Sequence, residues 1–148
     1  MIDLSVVIPT YNRIGILQWC LEDYKHQSLA RDRFEIVIVN DGGEEITRRD
    51  YPYNIKFLRQ ENKGPAATRN LGVKNADGRW ILFCGDDCLP DKHLLYRHWL
   101  RQRLSSRQPC VIQGYTDWHP AIPPDDFHRF LHGETKLGGG GLQATWGA

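Results

Sequence analysis

The chain has 148 residues and almost balanced charge, with 19 Lys and Arg residues against 18 Asp and Glu residues. This length suits one domain with a substantial core, and the charge balance argues against a nucleic-acid partner. No apolar run approaches the roughly 18 residues of a membrane span, and the first residues lack the basic start of a signal peptide. The cysteines, Cys20, Cys84, Cys88 and Cys110, form no CxxC pattern and fit a reduced, cytoplasmic protein.

Strand patterns alternate with helical patterns along most of the chain. Runs of β-branched and aromatic residues predict strands at 5–8, 34–39, 55–58 and 80–83, with a fifth candidate at 110–113. Helical spacing predicts helices that begin at the N-cap Asn12, at Pro65 and at Asp91. The alternation predicts an α/β fold, Rossmann-like, with a mainly parallel central sheet and helices on both faces. The wholly apolar strand at 80–83 is expected near the centre of that sheet.

The pattern deteriorates after Gly114. Proline-punctuated loops, a short helix over 126–131 and four glycines at 138–141 predict a loop-rich, poorly ordered tail over about 115–148. We therefore expect residues 1–148 to be a single domain that is truncated at its C-terminal end. His128 and His132 are spaced i, i+4 but lack the HExxH signature of a zinc site, so a solvent-facing helix is expected there.

The most informative stretch is 79–91 (RWILFCGDDCLPD), where an apolar strand ends in two adjacent carboxylates, Asp86 and Asp87. Ligands of open α/β sheets gather beyond the carboxyl ends of such strands. Two acids there repel each other unless a cation or hydrogen bonds compensate them. The pair therefore indicates Mg²⁺ or Mn²⁺, with a phosphate beyond the metal. The simpler alternative is an Asp-rich turn before the next helix.

Other polar residues follow the predicted strands at the same edge. Tyr11 and Arg13 follow the first strand, Asp41 follows the second, and Lys63 and Arg69 follow the third. Each has an ordinary structural explanation by itself, but parallel strands bring them to one edge of the sheet. A ring can stack on a base, a carboxylate can accept hydrogen bonds from a base or ribose, and the cations can neutralise phosphate. Together they indicate recognition of a nucleoside diphosphate.

Three segments resemble, in order and spacing, the nucleotide-binding half of family 2 glycosyltransferases: VVIPTYNR, EIVIVNDGG and ENKGPAATRNLGVKNADGRWILFCGDDCLPD. The resemblance runs from about Ser5 to Asp91 and implies the GT-A fold. It also implies a metal-dependent enzyme, usually inverting, that moves a sugar from a nucleoside diphosphate sugar, commonly UDP-linked. The acceptor would be a saccharide, a lipid carrier or a protein. By this resemblance the donor is held by Pro9, Tyr11, Arg13, Asp41, Lys63, Arg69, Asp86 and Asp87, and the last two would also bind Mn²⁺ or Mg²⁺.

The chain departs from the family pattern in two places. The first acid of the D-x-D motif falls at Cys84, and a thiol does not replace a carboxylate toward ribose or a hard metal ion. Either Asp87 compensates, or the donor binds more weakly. No acid after Asp91 stands in the E-D context of the family's catalytic base, so no base is assigned. A non-catalytic nucleotide-sugar-binding module, truncated or degenerate, is therefore the alternative to an enzyme. The expected location is the cytoplasm, with peripheral attachment to the inner membrane face left open.

Overall fold

A computed structural model describes residues 1–105 and 110–117. The residues up to Gln113 form one compact unit, and residues 114–117 belong to a second unit, where they have no regular secondary structure. The tail beyond 117, with its predicted helix and its His128–His132 pair, lies outside the described residues. In the described ranges the elements are β1 (Leu4–Thr10), α1 (Ile14–Tyr24), β2 (Phe34–Asn40), β3 (Asn54–Arg59), α2 (Pro65–Lys74), β4 (Trp80–Phe83) and α3 (Leu94–Leu104).

The four strands form one parallel sheet in the order β3-β2-β1-β4. Strand β1 pairs with β2 on one side and with β4 on the other, so the chain order reverses between β1 and β4. In open α/β sheets, ligands bind in the crevice beyond the carboxyl ends of the strands at such a reversal. The predicted Rossmann-like α/β fold with a parallel sheet is confirmed.

Side chains that alternate along the central strands pack into two hydrophobic cores, one on each face of the sheet. Leu4, Val6 and Ile8 of β1 pack with α1 and with Leu95 of α3, while Val7 packs on the other face near Leu71 of α2. The predicted helices on both faces are therefore present. Burying one such aliphatic side chain contributes about 1.5–3 kcal/mol, so the two central strands form a firm base for the loops that follow them.

Two strand predictions are corrected by the structure. Residues 110–113 do not form a fifth strand, and Val111 is 98% exposed. A short apolar run becomes a strand only where a neighbouring strand pairs with it, and within the described ranges none does. Strand β4 is not central but the outer strand of the described sheet, with Phe83 51% exposed. An apolar composition reports a preference for burial, not the position of a strand in a sheet.

Two helix starts also differ from prediction. Asn12 does not cap α1, because its φ is +52° and its Oδ1 accepts a hydrogen bond from the Glu44 amide at 3.0 Å. Arg13 takes the N-cap position instead, without a side-chain cap. Asp91 lies three residues before α3, where its carboxylate accepts a hydrogen bond from the His93 amide. In both cases the side chain accepts a hydrogen bond from a backbone amide outside the helix, a distant one for Asn12 and a local one for Asp91.

Candidate functional site

Thr10 and Asp86 meet because of the register between β1 and β4. The strands pair Val7 with Phe83, so the third residue beyond each lies at the same level. There Thr10 Oγ1 donates a hydrogen bond to Asp86 Oδ2 at 2.7 Å, and both side chains are buried. One oxygen of Asp86 is thus fixed by a bond that spans the point where the strand order reverses.

Arg13 is the second partner of the acid pair. Its Nη1 lies 3.4 Å from Asp86 Oδ1 and 3.1 Å from Asp87 Oδ2. Asp86 is buried, whereas Arg13 and Asp87 are about half exposed. One guanidinium nitrogen therefore lies between the two carboxylates and compensates their mutual repulsion.

The acid pair offers the oxygen donors that Mn²⁺ and Mg²⁺ prefer. Asp86 Oδ1 and Asp87 Oδ2 already converge on one cationic group, so these two residues fit a metal that takes its remaining ligands from phosphates and water. Across residues 1–105 and 110–117, no three or more His, Cys, Asp or Glu side chains come together as a metal site. Within these ranges the structure places Asp86 and Asp87 together at one cation, and their binding of a metal stays a prediction.

Cys84, which stands where the family pattern has its first acid, packs against the core instead of joining the acid pair. Burial raises the pKa of its thiol to about 11, so the group is neutral at pH 7. The thiol therefore adds no negative charge to the site. Asp87 does not take over its inward position, since it is exposed and shares Arg13 with Asp86.

Asp41 organises the loop between β3 and α2. Its Oδ1 accepts hydrogen bonds from Gln60 Nε2 at 2.6 Å and from the Lys63 amide at 2.9 Å. Its Oδ2 accepts one from the Gly64 amide at 2.9 Å. Burial alone would raise the pKa of this carboxyl, but these hydrogen bonds outweigh it and lower the pKa below its ordinary value. Asp41 is thus a buried carboxylate that positions the protein's own loop, and its contact with a base or ribose stays a prediction.

An open cleft of about 500 Å³ lies beyond the carboxyl ends of β1, β2 and β3. Its volume is in the range of small-ligand sites. Its aromatic surface is the ring of Tyr11, which is 47% exposed, and Arg59 contributes a cation while donating to the Gly43 carbonyl at 3.0 Å. The residues that line the cleft are Tyr11, Gly42, Gly43, Arg59, Gln60, Glu61 and Asn62.

Gly43 shapes the wall of this cleft. Its φ is +74°, a conformation that glycine adopts without strain. A Cβ at this position would collide with Oδ1 of Asn12, the atom that accepts the Glu44 amide. The loops after β1 and β2 therefore interlock in a way that requires glycine.

The structure brings some of the predicted site residues together and leaves others apart. Tyr11 lines the cleft and Arg13 contacts the acid pair, and two chain steps place their Cα atoms within about 7 Å of each other. Pro9 is half-buried within β1. The Lys63 side chain is exposed, and Arg69 donates to the Pro65 carbonyl of its own helix at 3.4 Å. Neither cation lines the cleft or contacts the acid pair.

The sequence interpretation missed the contribution of β3. Its end brings Arg59, Gln60 and Glu61 to the cleft, and the argument used for the other strand ends applies to this one equally. Thr10 was also left without a role, although it immediately precedes Tyr11. The signal for Thr10 is positional: in parallel strands, residues equally far beyond a paired position lie side by side.

A parallel sheet of order β3-β2-β1-β4, with a cleft and an acid pair at its carboxyl edge, defines an α/β domain of the GT-A type. A solved structure supports this class: the 1–349 fragment of S. aureus TarS in complex with UDP-GlcNAc matches with a TM-score of 0.60 and 25% identity. The match covers 70% of this chain and 32% of that one. The sequence profile of glycosyl transferase family 2 matches residues 5–107. The chain belongs to this family.

Relatives in bacteria agree with this membership. An uncharacterized glycosyltransferase of Rickettsia conorii is 40% identical over 94 residues, covering 58% of this chain and 15% of the relative. The uncharacterized glycosyltransferase YwdF of Bacillus subtilis is 44% identical over 88 residues, covering 57% and 32%. The matched part of this chain thus spans a third or less of each relative. The family predicted from the motifs is confirmed.

In the described part of the chain, no helix is long and apolar enough to cross a bilayer.

Proposed function

We propose that this chain is the donor-binding part of a glycosyltransferase that transfers a sugar from a nucleoside diphosphate sugar to an acceptor. The observation that carries the proposal is the adjacency of two features at one sheet edge: a cleft that Tyr11 lines and an acid pair that Arg13 contacts. A base in the cleft and a diphosphate toward the acids match this layout. The similarity to TarS, solved with UDP-GlcNAc, favours a UDP-linked donor.

Each end of the donor has its own group of residues in this proposal. Tyr11 stacks on the base, and Asp41 keeps the Lys63–Gly64 loop in place beside the cleft. Asp86 and Asp87 hold Mn²⁺ or Mg²⁺, and Thr10 keeps Asp86 oriented toward the site. The metal, when bound, neutralises charge on the departing diphosphate. Lys63 and Arg69 are exposed cations, and in this proposal they add positive charge for the phosphates.

In the transfer step we propose, an acceptor hydroxyl loses its proton to a general base and attacks the anomeric carbon with inversion, while the nucleoside diphosphate leaves. Within the described ranges we assign the base to no residue. Asp86 and Asp87 are engaged by Arg13, and Asp41 by its loop. The proposal for this part of the chain is therefore donor binding.

One observation favours a second candidate, a nucleotide-sugar-binding module without turnover. Cys84 packs against the core as a neutral thiol where the family pattern has an acid. This leaves the acid pair without the first carboxylate of the motif. Such a module would bind the donor and leave its glycosidic bond intact.

Two measurements test these proposals. Calorimetric titration with UDP, GDP and ADP in the presence of Mn²⁺ is expected to show the tightest binding for UDP, and no saturable binding of any nucleotide would overturn both candidates. Incubation with UDP-sugars then separates them. Release of free UDP and sugar, lost in Asp86→Asn, supports the transferase and contradicts a binding module, in which the bound donor stays intact.

A further inference from the structure

We infer that Arg13 is an exchangeable counter-ion of the acid pair, which a divalent metal must displace in order to bind Asp86 and Asp87. The inference rests on the proposed function for the presence of a metal at this pair. It extends that function by giving Arg13 a role in setting the affinity for the metal. Arg13 would then be a competitor of the metal and not simply a contact of the donor.

The first support is that both cations need the same two oxygens. Arg13 Nη1 lies 3.4 Å from Asp86 Oδ1 and 3.1 Å from Asp87 Oδ2. A Mg²⁺ or Mn²⁺ ion held by Asp86 and Asp87 would need these carboxylate oxygens as ligands. The ion and the guanidinium would then compete for these oxygens, and their positive charges would repel each other. Arg13 in its present position therefore disfavours a metal at the acid pair.

The second support is the difference in how firmly the partners are held. Asp86 is buried, and its other oxygen is fixed by Thr10 at 2.7 Å. The Arg13 side chain is 52% exposed, and in the described part of the chain its only polar contacts are the two carboxylates. Its backbone carbonyl accepts the Leu17 amide of α1 at 2.9 Å. The side chain can therefore swing into solvent while the backbone and Asp86 stay in place.

The third support is the charge at the pair. Two adjacent carboxylates carry a charge of −2, and the Arg13 guanidinium reduces it to −1. A divalent metal would bring it to zero, so exchange of Arg13 for the metal improves the local charge balance. Half-exposed ion pairs are weak, and this one does not prevent exchange. The competing interpretation is that Arg13 holds the two acids in the geometry a metal needs.

These two interpretations predict opposite signs for one variant. If Arg13 competes with the metal, Arg13→Gln binds the metal more tightly; if Arg13 orients the acids, the variant binds it more weakly. Arg33→Gln is a matched control, because Arg33 forms an ion pair with Asp3 at 2.6 Å before β1 and β2 begin, at the opposite edge of the sheet.

The test is a Mn²⁺ titration of the nucleotide-free full chain, with free Mn²⁺ measured by electron paramagnetic resonance. We expect about fivefold tighter binding by Arg13→Gln than by the unaltered protein, a larger rise in melting temperature on adding Mn²⁺, and no change in Arg33→Gln. Equal, weaker or undetectable Mn²⁺ binding by Arg13→Gln would overturn the inference. UDP binding by the unaltered protein, measured alongside, reports separately on the proposed function.

A second measurement uses the unaltered protein and does not depend on the folding of a glutamine variant. The Arg13 Nε–H signal in a nitrogen-15 spectrum is assigned by its absence from Arg13→Lys. Titration with diamagnetic Mg²⁺ is expected to move this signal toward that of a free guanidinium, while the Arg33 signal stays in place. An Arg13 signal that does not respond while the Asp86 and Asp87 backbone amides shift would contradict displacement.

Discussion

Thr10 donates a hydrogen bond of 2.7 Å to Asp86 across 76 positions of the chain. The contact exists because β1 and β4 pair in parallel, so their ends reach the same level of the sheet. The contact links PTYNR, the motif at the end of β1, with the acid pair in the motif that follows β4. The orientation of the buried acid is thus set by the pairing of the strands and not only by the loop in which the acid lies.

Replacing Thr10 by Val removes this hydrogen bond and keeps the shape of the side chain. Asp86 then stays buried with an unsatisfied oxygen, so we expect the free energy of unfolding to fall by about 1–3 kcal/mol. Urea denaturation measures the change. Thr10→Ser retains the hydroxyl and is expected to lose less than half as much. Equal stability of Thr10→Val and the unaltered protein would show that the contact does not support Asp86.

Asp41→Asn tests the loop that Asp41 holds. In the unfolded chain the pKa of an Asp carboxyl is about 3.9. The hydrogen bonds lower the pKa of the Asp41 carboxyl in the folded protein below that value. Its contribution to stability is therefore complete above that unfolded value and is lost as the pH falls through the folded pKa. At pH 7 we expect Asp41→Asn to be less stable by about 1–3 kcal/mol.

The pH dependence provides the control for this prediction. The difference in unfolding free energy between Asp41→Asn and the unaltered protein should shrink as the pH falls below about 4. Urea titrations at several pH values between neutral and acidic measure it. A difference that stays constant over that range would mean that the charge of Asp41 has no part in the effect.

Gly43→Ala tests the interlocked loops at the cleft. The added methyl group meets Asn12 Oδ1, and the φ of +74° is unfavourable for alanine. We expect a loss of stability of at least about 1–2 kcal/mol and weaker binding of UDP. Gly15→Ala is the matched control, because a Cβ there has no atom within 4 Å; inside α1 it should be neutral or stabilising by up to about 1 kcal/mol. Thermal unfolding and nucleotide titration of both variants check this. If Gly43→Ala binds UDP with the affinity of the unaltered protein, the Gly43 loop is not part of the nucleotide site.

Tyr11 is the expected stacking surface for the base. Removing the ring in Tyr11→Ala should weaken UDP binding about tenfold, since base–aromatic stacking is worth about 1–3 kcal/mol. Tyr11→Phe keeps the ring and should bind almost as the unaltered protein does. The side chain is about half exposed, so neither change should lower the melting temperature by much. If both variants bind UDP equally well, the base does not stack there.

The fold was largely predictable because its signals are local. The β-branched runs of β1 and β2 are flanked by turn residues, and Pro65 marks the start of α2 as expected. Positions that depend on distant contacts were not predictable in the same way. Asn12 was predicted to cap a helix, but its Oδ1 accepts a hydrogen bond from the distant Glu44 amide instead. The position of β4 at the outside of the sheet cannot be derived from the composition of β4 itself.

The candidate site shows the same division. Adjacent acids after an apolar strand indicated that a cation or hydrogen bonds would compensate Asp86 and Asp87, and the metal inferred from them stays a prediction. Sequence did not reveal that Arg13 contacts both acids, because that contact depends on how two loops and one long side chain are arranged. The several hydrogen bonds to Asp41 likewise require the fold of the loop after β3.

The most direct test of donor binding at the acid pair is calorimetric titration of UDP with Mn²⁺ into the unaltered protein and into Asp86→Asn. Asp77→Asn is a suitable control, since Asp77 is an exposed acid that pairs with Lys56 before β4 begins. We predict saturable binding to the unaltered protein and to Asp77→Asn, and at least about tenfold weaker binding to Asp86→Asn. Absence of saturable binding to the unaltered protein, or unchanged affinity in Asp86→Asn, would contradict it.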